Sequence, residues 1–371
     1  MASPLPPPGT PVSALPTPTL VVDLDALERN IAALAAFAQA RGLRLRPHAK
    51  THKCAAIARL QLAAGAVGVC VQKLSEAEAL ADAGIDRLYL SNQLIDPARL
   101  GRAVALAHRV QLALAVDSPL GVERLATAWR AGAQPALDVF VEVDIGQGRC
   151  GVPPAQAGAL ALQVVAAGLR FAGLQAYQGK AQHVRSAAAR STALAHAAAL
   201  TREAVASVQA TGLRVPLVTG AGTGSFVHEA ASGLWGELQC GSYIFMDRDY
   251  ADNEPDAEAP HFEHALFLKA QVISRSEHHA VLDAGHKSHA IDCGLPITWP
   301  QRWPTANGGD EHLILHPDEA PLPALGDTVW LIPGHCDPTV NLHNHLVAVR
   351  GGLTQGQVEA VWTVDARGCV Q

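Results

Sequence analysis

The chain has 371 residues, a formal net charge of -6, 49% hydrophobic residues and only 17% charged ones. That length exceeds one ordinary core, and the apolar content excludes a disordered chain. The acidic balance argues against a nucleic-acid partner, and no uninterrupted apolar run reaches the roughly 18 residues of a spanning helix, so no membrane partner is expected either.

The chain opens on MASPLPPPGTPVSALPTPTL, which has neither a basic n-region nor an apolar h-region; no signal peptide or anchor is expected there. Next comes LVVDLDALERNIAALAAFAQARG, a strand-to-helix lead-in that could hang on a second domain. From about residue 43 to 245 one theme repeats: a short apolar run, a polar or glycine junction, then an alanine–leucine helix. The runs are LRLRPHAK (43–50), AVGVCVQK (66–73), RLYLSNQ (87–93), VQLALAVD (110–117), DVFVEVDIG (138–146), FAGLQAYQG (171–179), VPLVTGAGTG (215–224) and ELQCGSYIF (237–245). Helical spacing fills the gaps, with glycine stops at Gly65, Gly84 and Gly132. Eight strands alternating with helices predict a closed (β/α)8 TIM-type barrel, an α/β fold, over residues 20–258. The alternative, an open doubly wound sheet, predicts a glycine-rich turn after the first strand, and RPHAKTHK has no glycine. Beyond about Pro260, short alternating runs such as HALFLKAQVIS, HAVLDAG, DTVWLIPG, HLVAVRGG and QVEAVWTV predict a mostly antiparallel β domain, built from residues 1–19 plus 259–371. Seven cysteines (Cys54, Cys70, Cys150, Cys240, Cys293, Cys336 and Cys369) are scattered without a CxxC pair, which suggests reduced thiols in a cytoplasmic protein.

Barrel active sites form at the C-terminal ends of the strands. Lys50, Arg149, Tyr177, the loop GAGTGS and the segment GSY all fall there. Glycine and hydroxyl groups after strands seven and eight suit a phosphate, held by backbone N–H groups and Thr223 or Ser242. Crowding of Lys50 by Arg46, His48 and His52 would lower its pKa enough for a Schiff base with an aldehyde. Pyridoxal phosphate needs a lysine, a phosphate cradle and a partner for its ring nitrogen, for which Arg149 is placed. Each residue also has a plainer reading: Lys50 as a surface or phosphate-contacting group, Tyr177 as a core or rim aromatic.

A second cluster is GHCDPTVNLHNH. If the strand DTVWLIPG continues through it, His335 and Asp337 share a face while Cys336 points away, as suits an open divalent metal site. Among 17 histidines, chance alone can supply such a pair. His343, His345, His278, His279 and the run HKSH are extra candidates or simple loop histidines.

PHAKTHK, VEVDIGQGRCG, GLQAYQG, GAGTGS, LQCGSYIFMD and GHCDPTVNLH together resemble the metal-dependent D-threonine aldolase family. That family includes 3-hydroxy-D-aspartate aldolases, is related to D-serine dehydratases and has an alanine racemase-like fold; the resemblance runs from about residue 17 to 367. It implies that Lys50 carries pyridoxal 5'-phosphate, Arg149 faces its ring nitrogen and Tyr177 lies beside it. It implies phosphate contacts at Gly222, Thr223, Gly224, Gly241 and Ser242. His183 would deprotonate the substrate hydroxyl, and His335 and Asp337 would bind a divalent metal (Mn, Mg, Co or Zn). In the related dehydratases a cysteine stands two residues after the histidine, where this chain has Asp337, which favours the aldolase branch. The implied reaction is retro-aldol cleavage of a small-molecule D-β-hydroxy-α-amino acid to glycine and an aldehyde. The implied assembly is a homodimer whose β domain covers the partner's barrel mouth and so brings His335 and Asp337 to the cofactor. A D-serine or 3-hydroxyaspartate dehydratase, a non-catalytic pyridoxal phosphate carrier and a phosphate-sugar barrel enzyme remain alternatives. His183, Arg185, Arg248 or His286 could favour a second substrate carboxylate.

Overall fold

A computed structural model describes residues 5–371; the first four residues of the proline-rich start lie outside the described region. Every expected run supplies one strand of an eight-stranded parallel sheet: Arg44–Leu45, Val69–Val71, Arg87–Gln93, Gln111–Val116, Leu137–Val143, Arg170–Ala176, Val218–Gly220 and Glu237–Leu238. The first strand pairs with the last. The remaining gap is spanned by a parallel bridge between His48 and Cys70, with the Cys70 N–H donating to the Pro47 carbonyl at 2.8 Å. The first strand is short because Pro47 has no N–H to give a ladder and the chain then tightens into the 3-10 turn Ala49–Thr51.

Local chemistry starts and stops the surrounding helices. Asp96 and Ser118 cap the helices Pro97–Ala107 and Pro119–Ala131, each followed by proline at the first helical position. Gly65 and Gly84 end theirs with φ of 101° and 89°, in the left-handed region. Gly132 does something else: its φ is -94°, and a Cβ there would lie 2.3 Å from Val104 Cγ1, so close helix packing requires it.

The second sheet has nine strands and is mostly antiparallel. Its long strand Leu266–Arg275 pairs with Thr19–Asp23, Ala280–Leu282 and Thr328–Ile332. Thr19–Asp23 also runs parallel to His345–Arg350. By hydrogen bonding, then, the strand of the lead-in belongs to the second sheet, and the boundary expected at residue 20 cuts through it. Ile297–Trp299, Thr305–Asn307 and Leu313–Leu315 are further strands, each too short to show alternation in sequence. One apolar core runs from the helix Leu24–Ala40 through Leu45 and Tyr243 to Leu266, Leu331 and Cys336. This shared core holds the second domain against the barrel mouth.

Candidate active site

Lys50 sits in the 3-10 turn after the first barrel strand, and Tyr177 immediately follows the sixth. The guanidinium of Arg149 lies 5.7 Å from the centre of the Tyr177 ring. Lys50 Nζ meets Asp337 Oδ2 at 3.1 Å. Asp337 reaches Lys50 from the same chain, so no partner subunit is needed to bring the two together, contrary to the arrangement expected from the resemblance.

The electrostatics of Lys50 are the reverse of what its sequence neighbours suggest. Asp337 raises its pKa well above the ordinary lysine value, against burial, with Tyr177 adding and Arg149 opposing. Arg46 is turned into the barrel against Glu237 at 3.0 Å. Burial keeps His48 and His52 neutral, with pKa values of about 3 and about 4. No positive crowd surrounds the lysine, because each supposed member is either paired elsewhere or uncharged.

Asp337 itself is held at about 2: burial opposes its charge, and Lys50 and His335 outweigh burial. Thr51 lies beside it and favours its charge, but among the described residues neither Thr51 Oγ1 nor the buried Asp337 Oδ1 meets hydrogen-bond geometry with any partner. An orphaned, ionised carboxylate oxygen next to a histidine is the donor chemistry a divalent cation completes. His335 and Asp337 are not on a strand. The strand stops at Ile332, and His335 is the N-cap of the helix Cys336–Asn341, whose first turn carries Asp337. Pro333 and Gly334 break the ladder, and the Cys336 N–H is captured by Asp247 Oδ2 at 2.8 Å. Buried Asp247, its pKa pushed up to about 6 mainly by burial, also caps the helix Arg248–Ala251 through the Tyr250 N–H at 3.0 Å. Burial works against a charged His335, but Asp337, Asp292 and Asp247 hold its pKa above the ordinary value.

His183 ends the 3-10 turn Lys180–His183, with its Nδ1 donating to Asp249 Oδ2. Arg185 donates to the same carboxylate, and the two partners, working against burial, hold Asp249 at about 2. Asp249 thus occupies Nδ1, and among the described residues His183 Nε2 has no hydrogen-bond partner. Arg185 is committed to Asp249 and Asn253, Arg248 to the Leu295 carbonyl, and His286 to Asp310.

The GAGTGS loop follows the strand Val218–Gly220. Ala221 takes a left-handed φ of 69° to turn the chain there, and Met246 and Lys53 do the same at 48° and 50° near the other strand ends. The Gly222 N–H donates to Ser225 Oγ at 3.1 Å and the Gly224 N–H to Gln182 Oε1 at 2.8 Å. These two glycines therefore serve close packing: a Cβ on Gly222 would lie 2.3 Å from Gln182 Oε1. The Thr223 hydroxyl accepts from the Tyr243 N–H at 3.0 Å and joins this loop to Gly241 and Ser242. The N–H groups of Thr223, Gly241 and Ser242 carry no hydrogen bond among the described residues, as an anion-binding cradle requires. Sequence reasoning missed Gln182, Ser225, Asp247, Asp249 and Asp292. Only Ser225 and Asp247 stood inside quoted motifs, and neither was assigned a role.

A cavity of about 840 Å³ lies behind this loop, meets it at Thr223 and Gly224, and is also lined by Tyr250. Lys50, Arg149, Tyr177, His335 and Asp337 do not line it.

Comparison with known proteins accords with this geometry. The family described as "Alanine racemase, N-terminal domain" matches residues 22–249, and a "Putative serine dehydratase domain" matches residues 265–349. A D-threonine aldolase from Arthrobacter sp is 42% identical over 98% of this chain and 97% of its own. The chain belongs to the D-threonine and 3-hydroxy-D-aspartate aldolase family. A 3-hydroxy-D-aspartate aldolase from Paracoccus denitrificans is likewise 42% identical, over 97% of this chain and 94% of its own. The crystal structure of D-threonine aldolase from Filomicrobium marinum superposes with a TM-score of 0.95 at 45% identity, covering 99% of this chain and all of that one. The chain is therefore a carbon–carbon lyase of the aldolase type.

Proposed function

We propose that this enzyme cleaves D-β-hydroxy-α-amino acids, such as D-threonine or 3-hydroxy-D-aspartate, to glycine and an aldehyde, using pyridoxal 5'-phosphate and a divalent metal. The observation that carries the reading is the double role open to Asp337. One of its oxygens is on the lysine expected to bear the cofactor, the other is buried without a hydrogen-bond partner, and its charge acts on His335.

In this reading Lys50 holds the cofactor aldehyde carbon, Arg149 faces the ring nitrogen beside Tyr177, and the free N–H groups of Thr223, Gly241 and Ser242 receive the phosphate. Gly222 and Gly224 shape that loop. His335 and Asp337 hold the metal. When bound, the cofactor accepts the electron pair released from the Cα–Cβ bond, and the metal lowers the pKa of the substrate β-hydroxyl. An arginine at the ring nitrogen keeps that nitrogen unprotonated. His183, oriented by Asp249, takes the β-hydroxyl proton on Nε2. The reading includes a homodimer, as the family resemblance implies, in the cytoplasm, which the seven free cysteines support. Among the described residues no helix is long and apolar enough to cross a membrane.

Purified protein supplied with pyridoxal phosphate and Mn tests the reading, with D-threonine and 3-hydroxy-D-aspartate as substrates and glycine, aldehyde and ammonia as products. Glycine plus aldehyde, suppressed by EDTA, is expected, and the relative rates name the better substrate. Ammonia plus a keto acid would instead assign the chain the chemistry of its relative, a D-threo-3-hydroxyaspartate dehydratase from Delftia sp., which is 34% identical over 63% of this chain.

A further inference from the structure

Asp292, Cys293 and His335 bring an oxygen, a sulfur and a nitrogen within 4.8 Å of one another, and no part of the reaction has yet used the first two. Two arrangements would explain such a trio: three ligands of one ion, or one ligand held from behind. The distances decide between them. Asp292 Oδ2 lies 2.7 Å from His335 Nδ1, which is a hydrogen-bond length. Two ligands at the usual ~2.0–2.2 Å from a metal, spread over a tetrahedral angle, stand more than about 3 Å apart. Nδ1 is thus the N–H that Asp292 accepts, and Nε2 is the nitrogen left for a metal. Cys293 Sγ, 3.7 Å from both Nδ1 and Asp292 Oδ2, lies on this rear side of the imidazole.

The position of Asp292 is built by its surroundings. The Ala290 N–H donates to Thr339 Oγ1 at 3.0 Å, and that hydroxyl donates to the His335 carbonyl at 2.7 Å. On the other side Gly294 and Gly334 touch backbone to backbone: a Cβ on Gly334 would lie 2.2 Å from the Gly294 carbonyl oxygen. The turn carrying Asp292 is therefore clamped at both ends to the helix that begins at His335.

We propose that Asp292 is the positioning residue of the metal centre: it fixes the His335 imidazole with Nε2 towards Asp337, while Cys293 stays outside the coordination sphere. The inference rests on the metal site of the proposed function. Outer carboxylates of this kind govern about 10- to 100-fold of metal affinity.

The test uses full-length protein loaded with pyridoxal phosphate and reads Mn(II) binding by electron paramagnetic resonance. Asp292→Asn is expected to weaken Mn(II) binding about 10- to 100-fold. Asp292→Glu is expected to recover part of that loss. The visible absorbance of bound pyridoxal phosphate and the melting temperature of the metal-free protein stay at wild-type values in both, which a general structural role for Asp292 would not allow. Cys293→Ser is expected to bind Mn(II) as the wild type does, and the Co(II)-loaded wild type to show no thiolate-to-cobalt charge-transfer band. Undiminished Mn(II) binding by Asp292→Asn overturns the proposal, as does a thiolate band in Co(II) protein that Cys293→Ser abolishes. Failure of the wild type to bind Mn(II), or full binding by His335→Ala, would instead remove the metal site itself, and the proposal with it.

Discussion

Replacing Gln182 by methionine keeps the bulk of a wholly buried side chain and removes its three hydrogen bonds: to the Gln178 carbonyl at 3.1 Å, to Ser225 Oγ at 2.7 Å and from the Gly224 N–H at 2.8 Å. Ser225 keeps Gly222 and Glu229, so the loop stays attached at one end and loses its tie at the other. Abandoning a buried polar partner costs about 1–3 kcal/mol, and two groups, the Gln178 carbonyl and the Gly224 N–H, are left. If about half of that cost is felt as disorder of the loop that offers the Thr223 N–H, the dissociation constant for pyridoxal phosphate rises about 10- to 100-fold. The assay is an absorbance titration of metal-free apoprotein with pyridoxal phosphate and, separately, with pyridoxal, which forms the same bond to Lys50 but has no phosphate. Pyridoxal binding is expected to stay within about twofold of wild type. Equal weakening towards both ligands, or tighter binding of the phosphate form, would refute the view that Gln182 pre-shapes the cradle.

His335→Ala and Asp337→Asn should each stop glycine release while leaving the visible absorbance of bound pyridoxal phosphate; loss of that absorbance as well would count against separate roles for the lysine and the metal pair. Asp249→Asn should lower kcat by about 10²–10⁴, because His183 loses the partner that orients it as a base. Asp249 also binds its proton more weakly folded than unfolded, so the wild type should shed about 2 kcal/mol as pH falls from about 4 through about 2, and Asp249→Asn should lack that limb in urea melts. Glu229 has the opposite sign: burial lifts its carboxyl to about 8, so the folded state holds the proton and stability falls as pH rises from about 4.5 to about 8. Glu229→Gln should flatten that decline, measured as the urea midpoint against pH.

The barrel was legible because each strand-to-helix unit repeats the same local grammar, and every expected run became a strand. The convergence of Lys50, Arg149, Tyr177 and the two glycine-bearing segments followed from that topology, since the C-terminal strand ends of a barrel must meet. What stayed hidden depended on contacts between segments far apart in the chain. The neighbours Arg46, His48 and His52 suggested a lowered lysine pKa, but Glu237, 191 residues from Arg46, and burial of both imidazoles cancel their charge. The helical setting of His335 and Asp337 depends on Asp247 catching the Cys336 N–H across 89 residues. Asp292 sits in a short turn whose sequence, IDCG, carries no metal signature at all.

Two cysteines lie near the proposed metal ligands His335 and Asp337, and their positions bear on which branch of the family's chemistry the chain can run. Cys336 is adjacent to both ligands in sequence, but it is fully buried, and burial raises its thiol well above the ordinary range. It is packed into the core shared by the two domains and is not available as a thiolate. Cys293 approaches His335 only at Nδ1, the nitrogen already given to Asp292. In the proposed metal site the acidic ligand is therefore Asp337, and a carboxylate differs from a thiolate in having two donor oxygens. One faces Lys50 and the other is buried without a hydrogen-bond partner. A single sulfur could not face both, so the residue two places after the histidine couples the cofactor lysine to the metal only when it is a carboxylate. As a ligand in the proposed site it would favour hard, oxygen-preferring cations over thiophilic ones. That coupling favours a metal held where it activates the β-hydroxyl for deprotonation, as retro-aldol cleavage requires.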